Sequence, residues 1–590
     1  MTEIVTPFAQ FFDTNGAPLN NGAIFIGTAY LDAQTNPIPV YWDEALTIPA
    51  PQPIRTLNGY AAWNGAPARI FCNADNFSMT VQTSTGRTVW AVQDATSENK
   101  TSDIIFQDFA APSGSSLVGF IQAGAGAAAR TAQAKMRDTV SVKDFGAAGN
   151  GITDDTAAFN AAFAALISAG GGELFVPAGT YRLSSLIPIT CAAQQHIRVR
   201  GAGRYVSTLD FGGSPSLGLY FNSTSIAANY LPVFEVCDIG LVTSRDNAGN
   251  ALRFNYASSA NIDASILVRD VFIGQNVNRT ADSGIGFGYW SFGIYCTNAR
   301  AGEISNLHFY GEIDKTPKTS HGIYLNGETT EFIIDKCNIF EAVTGIEAAG
   351  TCEGVYINNT VITQVRYGVR HNIAAGLEPQ LIFNNGHINA SEVCVWGTNS
   401  AQSVVANSLF YANTYYANPG PWPAWTGVLF DGLNSAFNTV NACTFTKEGG
   451  RTGDTTTGID LNAGRQYVVS ACQFFGFGGN PMTFGVQIRA GVSDVRVSAD
   501  CAFENVTAPV ANLGARSIRQ PVIQRGFAVV ASGATISFPQ TFNSQPIVVA
   551  SVLGSSTSSS VSVDTFTATS FRAYHAFGGS VAISWIAVGD

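Results

Sequence analysis

Charge is scarce in this chain. Asp, Glu, Lys and Arg make up 12% of its 590 residues, against roughly a quarter in ordinary soluble domains. The net charge of -11 argues against a nucleic-acid partner. Long apolar runs are absent too, and about 18 consecutive apolar residues are needed to span a bilayer as a helix. The nearest approach, residues 114–134, is interrupted by Gln122 and Arg130 and closed by Lys135, so no membrane insertion is expected. The opening residues carry Glu3 and Pro7 and lack the basic-then-apolar order of a secretory signal. Ten cysteines are scattered singly, no Cys-x-x-Cys occurs, and only six histidines are present. That pattern offers neither a zinc site nor a disulfide framework. No metal and no cofactor are expected, and the thiols predict synthesis in a reducing cytosol.

Glycine, with 60 residues, is abundant, and part of it is periodic. Eight times the chain places Gly, once Cys, before a β-branched residue: Gly293, Gly322, Gly345, Gly368, Cys394, Gly427, Gly458 and Gly485. The intervals are 29, 23, 23, 26, 33, 31 and 27 residues. A constant core at variable spacing predicts a solenoid with its insertions in loops. Such units must stack, because none buries its own apolar face. Each copy reads as three short strands. Asn358-Asn359, Asn384-Asn385, Asn407 and Asn441 mark the tight corner between the second and third, where Asn tolerates left-handed dihedrals.

Composition divides the chain into four. Residues 1–109 alternate strand-like runs with turn pairs such as Asn58-Gly59 and Asn64-Gly65, as a compact β domain does. Residues 110–140 are Gly/Ser-rich and then Ala-rich, a linker leading into a short helix. Residues 141–519 hold the solenoid. Residues 520–590 are short alternating strands that suit a small β-sandwich. At the solenoid entrance, Thr153 is expected to cap a helix whose apolar face is Ala158, Phe159, Ala162, Phe163 and Leu166, closing the open end of the core. Asp154 and Asp155 there read as helix-start residues rather than a catalytic pair.

Two stretches resemble known families. Phe8-Ala9-Gln10-Phe11-Phe12-Asp13, Pro37-Ile38-Pro39-Val40-Tyr41 and Gln52-Pro53-Ile54-Arg55-Thr56 resemble the head-binding domain of short-tailed phage (podovirus) tailspikes. Ser141-Val142-Lys143-Asp144-Phe145-Gly146, Thr153-Asp154-Asp155-Thr156 and Gly170-Gly171-Gly172-Glu173-Leu174-Phe175-Val176-Pro177 resemble the entry of the pectate-lyase-like right-handed β-helix family. The implied fold is all-β: a right-handed parallel β-helix between an N-terminal β head-binding domain and a C-terminal β-sandwich, in a homotrimer. The implied role is a virion tail component, made in the host cytoplasm, held to phage portal or tail proteins through residues 1–109. It would bind and depolymerise bacterial surface polysaccharide. The family's enzymes carry their groove on the first strand of each coil, but share no catalytic motif that transfers here.

The residue after each Gly-β-branched step should point outward. That column runs Tyr295, Tyr324, Glu347, Arg370, Trp396, Leu429, Asp460, Gln487, and a second, two residues on, includes Asn326, Asn372, Asp431 and Arg489. Aromatics stack on sugar rings and amides bond hydroxyls, so Tyr295, Tyr324, Asn326, Arg370, Asn372 and Trp396 are the expected binding residues. Trp422 and Trp425 join them from a Tyr- and Pro-rich loop, and loops with Glu312 and His321, or Lys447, Arg451 and Asp454, are expected to wall the groove. A trimer contact is the alternative reading of the Trp-rich loop. The expected catalytic carboxylates are Asp431, Asp460 and Glu347. Asp431 and Asp460 are diagonal neighbours roughly 8 Å apart, within the span of about 6.5–9.5 Å that suits an inverting glycosidase. Hydrolysis is the first reading. A lyase, with Arg370 neutralising a uronate, is the second, and a non-catalytic adhesin the third. Glu303, Glu331 and Glu353 also line up in sequence as a row of acids that either binds a cation or splays into solvent.

Overall fold

The computed structural model describes residues 8–96, 107–185, 188–191, 195–212, 218–224, 232–257, 266–275, 288–312, 319–374, 379–413, 424–447, 451, 453–477, 479–514, 518–519, 522–539, 541–542, 545–553, 561–576 and 579–589. They form two units, Met1–Asp138 and Thr139–Asp590. In the first, six strands build one sheet around Ala23–Thr28, Ile54–Leu57 and Asn76–Gln82. Asn58 and Asn64 adopt φ of 48° and 54° before Gly59 and Gly65, the two-residue hairpin turns whose left-handed dihedrals match strand twist. Ile24, Ile26, Ile54 and Val81 fill this core. A single turn of helix, Ala132–Met136, follows, with the Thr131 side chain accepting from the Ala134 amide.

The second unit is dominated by one coiled sheet of 35 strands, from Val140–Ser141 to Ile518–Arg519. Each strand pairs in parallel with the strand one coil further on. This is the parallel β-helix that the repeat predicts. The helix Thr156–Ser168 buries the five expected residues Ala158, Phe159, Ala162, Phe163 and Leu166. Its cap differs from the expectation: Asp155, not Thr153, holds the cap position. The Asp155 carboxylate accepts from the Ala148 and Gly149 amides, so it fastens the preceding loop rather than the first turn.

The repeated glycines have a steric cause. A Cβ at Gly427, Gly458 or Gly485 would lie 2.4–2.5 Å from the ring of Phe445, Phe474 or Phe503. Those three rings stack at 4.9 Å with interplanar angles of 6° and 5°. In earlier coils Ile339, Ile362 and Ile388 press on Gly322, Gly345 and Gly368 in the same way. Each coil is thereby keyed to its own third strand. The Asn corner is present as read: Asn359, Asn385 and Asn407 sit at φ of 50–54°, where Asn is tolerated. Asn385 donates to Asn359 and Asn407 to Asn384. Cys337, Cys443 and Cys472 are wholly buried beside this corner, and their thiols lie against the carbonyls of Asp335, Asn441 and Ser470. Burial pushes the Cys337 thiol up to about 12. They are apolar fillers.

The row of Glu303, Glu331 and Glu353 does not form. Glu303 pairs with Ile333, and Glu353 with Thr330, while Glu331 sits in a left-handed bulge at φ 57°. One irregular residue offsets the register and disperses the acids.

His371 lies wholly inside the core, its Nδ1 2.5 Å from Ser400 Oγ. Burial pushes its pKa down from 6.5 to about 3. Below pH about 6.5 the unfolded chain takes up a proton that the folded chain refuses. The stabilisation is therefore complete above that pH and lost as pH falls towards about 3, on the order of a few kcal/mol. His371→Gln is expected to flatten the fall in urea midpoint between pH 7 and pH 4. An unchanged pH dependence would show that His371 does not contribute to it.

At the C-terminal end, two three-stranded antiparallel sheets enclose Phe538, Phe571, Ile583 and Trp585. The first comprises Val522–Val530, Val581–Gly589 and Ile547–Val552.

Candidate functional site

The first strands of successive coils form a ribbon whose outward columns hold the register expected from sequence. Tyr295 pairs with Tyr324, Tyr324 with Glu347, Glu347 with Arg370, and Arg370 with Trp396. Trp396 then pairs with Leu429, Leu429 with Asp460, and Asp460 with Gln487. In the second column Asn372 pairs with Thr398 and Thr398 with Asp431. Asn372 is exposed and Asn326 half-buried.

The sequence reading missed two parts of this surface. The column extends towards the N-terminus through Arg253 and Tyr220. Those coils open on Gly218-Leu219 and Ala251-Leu252, small residues before a Leu, so a search for β-branched residues passes over them. A third outward column stands three residues before the first and contains Phe292, His321 and Tyr367. His321 belongs to the strand His321–Asn326, not to the preceding loop.

Two polar centres stand on the ribbon. In the first, Glu347 is 6% exposed. One of its oxygens lies 3.4 Å from His321 Nδ1 and 3.6 Å from an Arg370 terminal nitrogen, the second an ion pair and neither a hydrogen bond. The Arg370 guanidinium stands over the rings of Tyr367 and Trp396, at 5.1 and 5.0 Å. The Tyr295 and Tyr324 rings meet at 5.0 Å, tilted by 33°. Burial, and then the Glu347 charge, hold the Tyr324 phenol above its ordinary range. The Tyr367 hydroxyl donates to Glu392, which also pairs with Arg366.

In the second centre, Trp396 Nε1 donates to Asp431 Oδ2 at 3.1 Å. Asp431 Oδ1 is buried with no hydrogen-bond partner among the described residues. Asp460 is clasped by Arg489 through two bonds, Nε to Oδ1 at 2.9 Å and a terminal nitrogen to Oδ2 at 2.7 Å. That carboxylate raises the Arg489 pKa above its ordinary value. The two aspartates thus differ: one keeps an oxygen without a donor among the described residues, and the other has both oxygens engaged by a cation.

Other expected site residues fall elsewhere. Trp425 is a core residue, 0% exposed, at the start of the strand Trp425–Asp431. It cannot meet a glycan in the groove. Trp422 lies outside the described residues. The charges read as groove walls are buried instead. Arg451 and Asp454 pair at 2.6 Å with no exposure, Arg451 also donates to the Asn413 carbonyl, and Lys447 donates to Asn480. Glu312 accepts from the Thr319 and Ser320 amides. Buried charge of this kind is retained only when paired and hydrogen-bonded.

Comparison with known proteins agrees with the architecture. The family described as rhamnogalacturonase A/epimerase, pectate lyase-like, matches residues 139–370. The family described as right handed beta helix region matches residues 292–566. Mannuronan C5-epimerase AlgE2 of Azotobacter vinelandii is 59% identical over 116 residues, 18% of this chain and 11% of that protein. The tail spike protein of Shigella phage Sf6 is 29% identical over 201 residues, 31% of this chain and 32% of that protein. The chain therefore spans less than a third of the length of either relative. Among solved structures, a double mutant of the tailspike protein of E. coli bacteriophage HK620, in complex with a pentasaccharide, is 12% identical. It covers 83% of this chain and 100% of that one, with a TM-score of 0.46.

Proposed function

We propose that this chain is a phage tailspike that binds bacterial surface polysaccharide along the first-strand ribbon and cuts it by hydrolysis. One observation carries the reading: aromatic, guanidinium, amide and carboxylate side chains stand in register on successive rungs of one accessible ribbon. Rungs about 4.8 Å apart offer a run of contacts suited to an extended chain of sugars. The similarity to the Shigella phage tail spike supports it, as does the similarity to an epimerase named for a polysaccharide.

The cut is assigned to Asp431 and Asp460. Asp431, whose Oδ1 has no donor among the described residues, would give a proton to the leaving oxygen once its side chain turns that buried atom towards the groove. Asp460, oriented by Arg489, would activate water from the other side once the half-exposed Arg489 side chain gives way. Tyr295, Tyr324, Asn326, Asn372 and Trp396 would hold the sugars. A second reading, a lyase, is favoured by the first centre. There Arg370 would neutralise a uronate, and His321 would take the adjacent proton with Glu347 beside it.

Residues 1–109 would seat the protein on phage portal or tail proteins, with residues 110–140 as a neck. The assembly would be a homotrimer. Ile523, Phe527, Val529, Ile547, Val549 and Ile586 stand exposed on one face of the first C-terminal sheet, an apolar patch of the sort that subunits cover.

The test is digestion of capsules and O-antigens from a panel of bacteria, followed by reducing-end and unsaturated-product absorbance assays. New reducing ends without the absorbance support hydrolysis, and the absorbance supports the lyase. Binding without shortening would leave an adhesin. Binding to none of the panel would overturn the proposal.

A further inference from the structure

We propose that the N-terminal end of the ribbon is an anion subsite built on Arg253, and that the glycan bound there carries carboxylate groups. The inference rests on the ribbon being the glycan site. Arg253 is half-buried in the outward column, between Tyr220 on one rung and Tyr295 on the next. Its guanidinium stands 5.0 Å from the Tyr220 ring centre and 5.4 Å from that of Tyr295. Among the described residues it makes no ion pair, and its Nε is buried without an acceptor. Four arginines elsewhere on the coiled sheet are engaged by acids: Arg200 with Glu173, Arg269 with Glu235, Arg366 with Glu392, Arg489 with Asp460.

An arginine held between rings keeps its charge and its five in-plane donors. Two tyrosine rings fix its position but supply no carboxylate. The matching ligand group is a planar carboxylate, which a guanidinium takes with two parallel bonds. Arg370 lies four rungs away, about 19 Å at about 4.8 Å per rung, but Glu347 already offsets part of its charge. In a chain of net charge -11, an anionic polymer is repelled overall. A local uncompensated cation then decides which polymer is admitted.

The experiment measures binding of the full chain to purified bacterial polysaccharides, some neutral and some uronate-containing. Each acidic one is also presented after its carboxyl groups have been reduced to alcohols. Wild-type protein is expected to bind an acidic polymer and to lose at least tenfold in affinity for its reduced form. Arg253→Met, which keeps the stem between the rings, is expected to weaken binding of the acidic polymer about 10–100-fold, the scale of a lost charged hydrogen bond. It should leave binding of the reduced form unchanged. Arg253→Lys should recover part of the loss, and thermal unfolding of both variants should match wild type. Equal binding of the acidic and reduced forms overturns the inference while leaving the tailspike reading intact, as does an Arg253→Met variant that binds like wild type. Binding to no polymer overturns both.

Discussion

Asp431→Asn is expected to slow cleavage of the polysaccharide about 10²–10⁴-fold, the usual contribution of a positioned acid or base, with glycan affinity nearly unchanged. The substitution keeps the shape of the side chain and an oxygen for the Trp396 indole to donate to. It removes the acidic proton. Asp460→Asn should fall in the same range, since it removes the charge that would activate water. Glu347→Gln is the control that separates the two chemistries. Glu347 lies three rungs from the level of Asp431, about 14 Å along the axis at about 4.8 Å per rung, too far to share in the same proton transfers. If hydrolysis is the reaction, Glu347→Gln should mainly weaken binding. If Glu347→Gln stops cleavage while Asp431→Asn does not, the reaction belongs to the first centre. Initial rates and affinities measured on one polysaccharide for all three variants decide it.

The second large effect is on stability. Trp425→Ala is expected to cost about 3–5 kcal/mol, as removing a fully enclosed aromatic does when its surroundings cannot collapse. Parallel strands hold the backbone on either side of Trp425, which pairs with Thr456 on the next coil, so the space would remain largely open. The measurement is the shift in denaturant midpoint, with glycan affinity determined on the folded fraction. A groove residue would give the opposite pattern: normal stability and weakened binding.

The contrast between Trp425 and Trp396 shows what the sequence could reveal. Trp396 follows its Cys394-Val395 step by one residue, inside the same short strand. Strand alternation then fixes its direction, and the register bears this out. Glu347, Arg370 and Asp460 were legible for the same reason. Trp425 precedes its glycine by two residues, at the seam between loop and strand, where alternation has no reference point. Its Pro- and Tyr-rich neighbourhood read as surface. The glutamate row failed by the same logic, because a left-handed residue at Glu331 interrupts the start of the second strand, Thr330–Asp335. The partners of the site carboxylates were the least legible. Whether Arg489 reaches Asp460, or Trp396 reaches Asp431, depends on side-chain reach across rungs, which spacing does not encode. Arg253 lay in a coil whose opening residues departed from the pattern.

The strand Val361–Ile373 merges what are two separate strands in other coils. Its pairing with the next coil slips twice between Thr363 and Tyr367, yet Val369 meets Val395 and Arg370 meets Trp396 in phase. The glycine-to-core contact of each turn thus absorbs an error locally instead of passing it on. A residue gained or lost between those contacts reshapes one level and leaves the levels above and below where they were. Such a molecule can revise the surface of its ribbon one storey at a time, without rebuilding the tower.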